Sequence, residues 1–172
     1  MSVLDELVQA NRRYAAARHP RQLPLPPARK VAIVTCMDAR LDPAGILGLA
    51  EGDAHVIRNA GGRAAEALRS LVISQRLLGT RAIAVIHHTD CGMLTFSNQQ
   101  LRAQVKTELG VDSGGIDFLP FGDLEASVIE DVRLLTNSPL LEPGTPVRGF
   151  TYDVHTGRLT EVGAPATAAQ AP

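Results

Sequence analysis

The chain has 172 residues, 45% hydrophobic and 20% charged, with a formal net charge of −1. This length fits one domain with a sizeable core. The near-neutral charge argues against nucleic acid or an anionic membrane surface as a partner. No segment has the length of an apolar membrane span, and residues 1–28 lack the layout of a signal peptide. We therefore expect a cytoplasmic protein.

The first 28 residues predict a helix followed by an extended arm. Ser2 and Asp5 have the spacing of a capping box, which marks the start of a helix. Apolar residues then recur at helical spacing, at Leu4, Leu7, Val8 and Tyr14. Residues 20–28 carry four prolines, so the chain should be extended there.

Strand and helix patterns alternate through residues 29–163, which we expect to form an α/β domain. Apolar runs predict three strands, at 31–35, 54–58 and 82–87. Helical patterns predict helices starting at Pro43, at 64–78, at 99–109 and after Asp123. Residues 59–62 predict a tight loop, and the helix at 64–78 is expected to have one face lined by Leu68, Leu71, Val72, Gln75 and Leu78. Residues 147–154 and 158–162 predict a terminal hairpin. The order favours a mainly parallel sheet with an antiparallel edge. The tail 164–172 is expected to be disordered.

The two cysteines of the chain each follow a predicted strand. Cys36 follows the strand at 31–35, and both His88 and Cys91 follow the strand at 82–87. If these strands are parallel neighbours, the three side chains meet at one sheet edge. Two thiolates and one imidazole suit Zn²⁺ and leave a fourth position open for chemistry. Burial as small core residues, or a Cys36–Cys91 disulfide, are the alternatives.

Asp38 and Arg40 follow the first cysteine at alternating positions. In an extended segment residues 36, 38 and 40 lie on the same side, which brings Arg40 within reach of a bidentate pair with Asp38. The alternative is a surface ion pair worth only about 0–1 kcal/mol. In the functional interpretation, Asp38 orients a zinc-bound hydroxide while Arg40 keeps the carboxylate ionised. When Arg40 releases it, Asp38 can become a fourth ligand in a closed, inactive state.

Two neighbours of the predicted ligands receive supporting roles. Asp90 is expected to support the loop between His88 and Cys91 rather than bind metal. His87 should point away from His88 and be structural. No glycine-rich nucleotide motif is present in the sequence.

The segments Cys36-Met-Asp-Ala-Arg40 and His88-Thr-Asp-Cys91-Gly-Met93 resemble those of β-class carbonic anhydrases. Ile57-Arg-Asn-Ala-Gly-Gly62 extends the resemblance, which runs from about residue 30 to residue 162. It implies a Rossmann-like sheet of four parallel strands with an antiparallel fifth strand. It also implies zinc ligands at Cys36, His88 and Cys91, an Asp38–Arg40 catalytic dyad, and homodimers or dimers of dimers embraced by residues 1–28.

The resemblance implies reversible hydration of carbon dioxide to bicarbonate and a proton. A carbonyl sulfide hydrolase using the same attack is one alternative, and a non-catalytic zinc or thiol regulatory domain is another. We expect the 58–66 segment and the partner subunit to form the walls of the substrate pocket. Because aromatic residues make up only 3% of the chain, we expect mostly small aliphatic and glycine residues there.

Overall fold

The computed structural model describes residues 2–18 and 22–163, so the predicted tail at 164–172 lies outside the described residues. The five helices in this range are α1 (Val3–Ala17), α2 (Pro43–Leu47), α3 (Ala64–Leu78), α4 (Asn98–Leu109) and α5 (Leu124–Thr136). The five strands are β1 (Val31–Cys36), β2 (Ala54–Asn59), β3 (Ala82–His88), β4 (Val147–Tyr152) and β5 (Leu159–Val162).

The strands form a single sheet in the order β2-β1-β3-β4-β5. The first four strands in this order run parallel, and β5 pairs antiparallel with β4. This confirms the prediction of a mainly parallel α/β sheet with an antiparallel edge. In the register of β1 and β3, Thr35 lies opposite Ile86, so both strands end at the same edge of the sheet.

Helices α2, α3 and α5 begin where the sequence predicts, and α4 begins one residue earlier. The side chain of Asp42 caps α2 and that of Asp123 caps α5, while Gly79 ends α3 in the left-handed conformation with φ of 72°. The segment predicted as a tight loop at 59–62 contains a 3-10 turn at Ala60–Gly62.

The buried face of α3 differs in part from the predicted one. We expected Leu68, Leu71, Val72, Gln75 and Leu78 to line it. The structure buries Ala64, Ala67, Leu71, Ser74 and Gln75. Small residues at 64 and 67 let α3 approach the sheet closely, so Leu68 and Val72 pack at the border of the core instead.

Helix α1 contributes nothing to the core of the described chain. Its predicted capping box is present, but none of its residues is buried. The described part of the arm, 22–28, contains no helix or strand, and Ala28 N–H donates to the Gly52 carbonyl at 2.9 Å. Among residues 2–18 and 22–163, no helix has the length and apolar character needed to span a membrane.

Candidate metal centre

The structure brings Cys36, His88 and Cys91 together at the end of β1 and β3. Their ligand atoms all lie within 4.8 Å of one another, and all three residues are buried. Both cysteines are free thiols, so the alternative of a disulfide is not what the structure shows. This is the one such cluster of metal-binding side chains in the described range 2–18 and 22–163.

The imidazole of His88 is oriented as a metal ligand requires. Its Nδ1 lies 2.9 Å from the Thr89 carbonyl oxygen, which can only accept, so Nδ1 carries the hydrogen. The buried Nε2 then presents a lone pair, and it has no hydrogen-bond partner. Histidine ligands in metalloproteins commonly donate their other N–H in this way. Together with two sulfurs, this nitrogen forms a donor set that suits zinc.

The surroundings of Cys36 favour the thiolate form. A hydrogen bond from the Cys91 thiol, opposed by burial and assisted by His88, lowers the pKa of Cys36 to about 4. The backbone N–H groups of Asp38 and Gly61 contribute to the same lowering of the pKa. The same contact with Cys36, together with burial, raises the pKa of Cys91. Because the thiolate is the form that binds metals, Cys36 is prepared for ligation at neutral pH.

The environment of His88 acts in two opposed directions. Burial, the largest single influence, lowers the pKa of this imidazole, but the proximity of Cys36, the Thr89 carbonyl and the charge of Asp38 together outweigh burial and raise it. Asp38 adds a further negative charge nearby, since its Oδ2 lies 3.8 Å from His88 Nε2. A cation placed among these groups would therefore lie in a region of negative electrostatic potential.

Asp38 and Arg40 form the predicted bidentate pair. Arg40 Nε donates to Asp38 Oδ1 at 3.0 Å, and Arg40 Nη2 donates to Asp38 Oδ2 at 2.7 Å. The backbone N–H of Arg40 adds a third hydrogen bond at 2.9 Å. These contacts hold the pKa of Asp38 well below its usual range. The carboxylate is therefore ionised beside the ligand cluster.

Asp90 supports Arg40, a partner that the sequence did not identify. Arg40 Nη1 donates to Asp90 Oδ2 at 2.6 Å, and Arg40 Nη2 donates to the Asp90 carbonyl at 2.8 Å. The backbone of Asp90 is left-handed, with φ of 55°. The predicted loop-supporting residue thus fixes the guanidinium from the side opposite Asp38.

Two further residues at this edge escaped the sequence analysis. Arg58 on β2 donates to the carbonyls of Cys36 at 2.9 Å and Asp38 at 2.6 Å, so it holds the backbone between the ligand and the dyad. The Asn59 side chain bonds both the N–H and the carbonyl of Arg63 at 2.7 and 2.9 Å and closes the turn between them. The only signal for either residue was its place in the 57–62 motif.

A pocket of about 330 Å³ opens beside the ligand cluster. It is lined by Cys36, Met37, Asp38, Ala60, Gly61, Cys91, Gly92, Met93 and Phe96. The 58–66 segment contributes Ala60 and Gly61, as predicted. The expectation of mostly small walls was wrong, because the segment after Cys91 folds back and supplies Met93 and Phe96. This short segment forms a 3-10 turn at Gly92–Leu94, which the sequence analysis did not predict.

The fold and site together define an α/β protein with a Cys–His–Cys group at the carboxyl edge of a parallel sheet. A model of the carbonic anhydrase family matches residues 31–112. The β-carbonic anhydrase 1 of Mycobacterium tuberculosis is 44% identical over 164 residues, which span 94% of this chain and 99% of that protein. The chain belongs to the β-carbonic anhydrase family.

Other relatives show the breadth of this similarity. A crystal structure of carbonic anhydrase from Streptococcus mutans superposes with a TM-score of 0.90 and is 53% identical, covering 95% of this chain and 99% of that chain. A carbon disulfide hydrolase of Acidianus sp. is 32% identical over 159 residues, or 78% of each protein. Relatives of this chain therefore include enzymes named for two different substrates.

Proposed function

We propose that this protein catalyses the zinc-dependent, reversible hydration of carbon dioxide to bicarbonate and a proton. One observation carries the proposal: a buried Cys–His–Cys group lies beside an ionised Asp38–Arg40 pair and opens onto an apolar pocket. Membership in the β-carbonic anhydrase family supports it. A non-catalytic regulatory domain would have no use for the dyad.

Each residue of the site has a role in the proposed reaction. Cys36, His88 and Cys91 would hold the zinc, which when bound supplies a Lewis acid that lowers the pKa of water toward neutrality. While ionised, Asp38 can only accept hydrogen bonds. It therefore orients the attacking oxygen by accepting a hydrogen bond from its O–H group. Arg40 keeps Asp38 ionised and turned to one side.

The pocket supplies the place for the substrate. Carbon dioxide is linear and apolar, and side chains such as Met37, Met93 and Phe96 exclude water around it. Attack on its carbon gives bicarbonate, and the proton released passes to buffer. Bicarbonate carries a charge that the apolar walls do not stabilise, which favours its departure.

We expect the purified protein to contain roughly one zinc ion per chain, since three ligands converge at one place. His88→Gln, Cys36→Ser and Cys91→Ser should each lose most of the metal, as measured by elemental analysis. His155→Gln is the matched control, because His155 is an exposed histidine in the β4–β5 turn. Zinc-free protein with a stoichiometric Cys36–Cys91 disulfide would refute the proposed site.

Arg40→Ala should lower kcat for hydration by at least about 100-fold while zinc stays bound, because Asp38 loses the contacts that orient it. Asp38 should then become a fourth metal ligand, and X-ray absorption at the zinc edge would detect the added oxygen. Arg148→Ala removes an arginine that also pairs with a carboxylate, Glu161, but lies outside the pocket lining, and should retain activity. Normal turnover by Arg40→Ala would exclude a catalytic role for the Asp38–Arg40 pair.

We also propose a homodimer, or a dimer of such dimers, held partly by α1. Its apolar residues Val3, Leu4, Leu7 and Val8 are all more than half exposed within one subunit. A groove of about 370 Å³ beside edge strand β2 is lined by apolar residues including Val56, Ile73 and Leu78. Burial of these surfaces between two copies would remove both from water.

Light scattering should give a mass of two or four chains at micromolar concentration. Leu7→Asp should shift the protein toward the monomer, because it puts a charge on the apolar face of α1. Gln9→Asp adds the same charge to the same helix at a polar position and should not. A wild-type monomer with full activity would contradict the proposal.

Carbonyl sulfide is the alternative substrate that the pocket could admit. It differs from carbon dioxide by one larger atom, and a size difference near one methylene is worth only about 1–3 kcal/mol of discrimination. We expect hydration of carbon dioxide as the main activity, with detectable release of hydrogen sulfide from carbonyl sulfide. Stopped-flow hydration and sulfide-release assays on the same preparation measure both.

Phe96→Ala should raise the ratio of carbonyl sulfide to carbon dioxide turnover, because it widens the pocket. Leu140→Ala truncates an exposed apolar side chain outside the pocket lining and should leave the ratio unchanged. Fast sulfide release with hydration barely above background would instead make carbonyl sulfide the principal substrate.

A further inference from the structure

A buried polar cluster lies behind the metal-binding edge, and the proposed chemistry does not use it. Asp131 on α5 and His87 on β3 are both 0% exposed, and Arg63 is 4% exposed. Charged groups are costly to bury and remain buried only where partners compensate them. The arrangement of those partners indicates what the cluster does.

The Asp131 carboxylate joins three separate segments. Its Oδ2 accepts from the backbone N–H of Ala64 at 2.8 Å and lies 3.2 Å from His87 Nε2. Its Oδ1 lies 3.1 Å from Arg63 Nη2. Helix α3 begins at Ala64, and the residue before it provides no side-chain cap, so Asp131 caps α3 from another helix.

His87 is fixed at both ring nitrogens. Its Nε2 bonds the Gly62 carbonyl at 3.3 Å and faces Asp131, so Nε2 must carry a hydrogen toward two acceptors. Its Nδ1 bonds Ser127 Oγ at 2.8 Å, one turn before Asp131 on α5. His87 immediately precedes His88 in β3, and its ring bonds Ser127 and Gly62 rather than the ligand cluster. Fixing one ring therefore constrains the backbone that carries the other.

The turn held by this cluster touches the metal-binding edge directly. A Cβ on Gly62 would lie 2.9 Å from the Thr35 carbonyl carbon and 3.0 Å from the Cys36 nitrogen, so the turn rests on the end of β1. Gly61, one residue earlier, lines the pocket together with Cys36. A shift of the turn would change the contact with β1 and the wall of the pocket.

Phe121 extends the cluster to the opposite wall. Its ring stacks on His87 with centroids 5.4 Å apart, and the Arg63 guanidinium lies 5.6 Å from the ring centre. Its N–H donates to the carbonyl of Met93 at 3.2 Å, and Met93 lines the pocket. Through His87 and Arg63, Asp131 is thus linked indirectly to Phe121 and to the Met93 segment of the pocket.

We propose that Asp131 is a positioning residue of the metal site and its pocket. From α5 it fixes His87 and the start of α3, and through them the Gly61–Gly62 turn that rests on the backbone of Cys36 and the direction of His88. The kinetic part of this proposal rests on the proposed function, whereas the placement of the ligands does not.

Asp131→Asn tests the proposal at nearly constant volume. The amide of asparagine can lie in two orientations. In either one its NH₂ group faces a hydrogen-bond donor, so a hydrogen bond or ion pair of Asp131 is lost: Ala64 and His87 lie on one side, and Arg63 on the other. In the zinc-loaded variant we expect kcat/KM for carbon dioxide to fall by about tenfold or more. In the cobalt-loaded variant, at equal metal content, we expect the thiolate and ligand-field absorption bands to shift from those of wild type.

Glu130→Gln is the matched control. Glu130 neighbours Asp131, bonds the same Arg63 nitrogen at 2.8 Å, and is 66% exposed, so the substitution makes the same charge change at the surface. We expect wild-type spectra and kinetics. Equal effects of Glu130→Gln and Asp131→Asn would overturn the proposal, because the charge near Arg63 would then explain both.

Ser127→Ala keeps the test decisive if Asp131→Asn fails to fold. It removes only the Nδ1 partner of His87 and should shift the cobalt spectrum in the same direction, by less. A folded Asp131→Asn protein, or a folded Ser127→Ala protein in its place, with the wild-type spectrum would overturn the proposal. Wild-type protein that binds cobalt but does not hydrate carbon dioxide would refute the proposed function alone, since the spectra still report on Asp131.

Discussion

The parallel pairing of β1 and β3 is the constraint on which the site depends. In this register Thr35 lies opposite Ile86, so Cys36 and His88 leave the sheet at the same edge. A slip of one residue would turn Cys36 to the other face of the sheet, because side chains alternate along a strand. The core beneath the edge makes such a slip costly, since Val34 and Val85 are both fully buried.

Charge is organised outward from that edge. Cys36 is stabilised as a thiolate by neighbouring donors, and the carboxylate of Asp38 stands close by. Negative groups at this spacing repel one another unless positive charge compensates them. Arg40 compensates Asp38 through two side-chain hydrogen bonds, and Asp90 in turn bonds Arg40. With Asp90, the Asp38–Arg40 pair forms a row of three charged side chains, of which the outermost, Asp90, is the most exposed.

The loops around the pocket depend on side chains rather than on the sheet. The turn at 60–62 lies outside the sheet, and Asn59 and Asp131 instead bond the backbone of the two residues that follow it, Arg63 and Ala64. The buried carboxylate of Asp131 contacts one backbone N–H and two side chains. Its position is well defined, because it must satisfy all three partners at once. The pocket can keep its shape although its walls come from segments far apart in the chain.

The sequence by itself determined the strands, most helix limits and the three candidate ligands. Apolar runs, caps and the position of Cys36, His88 and Cys91 at strand ends are local properties of the chain. Tertiary structure alone decided which face of α3 is buried, that Met93 and Phe96 line the pocket, and that Asp131 reaches the turn. These contacts join residues distant in sequence, and no local pattern encodes the angle at which two elements pack.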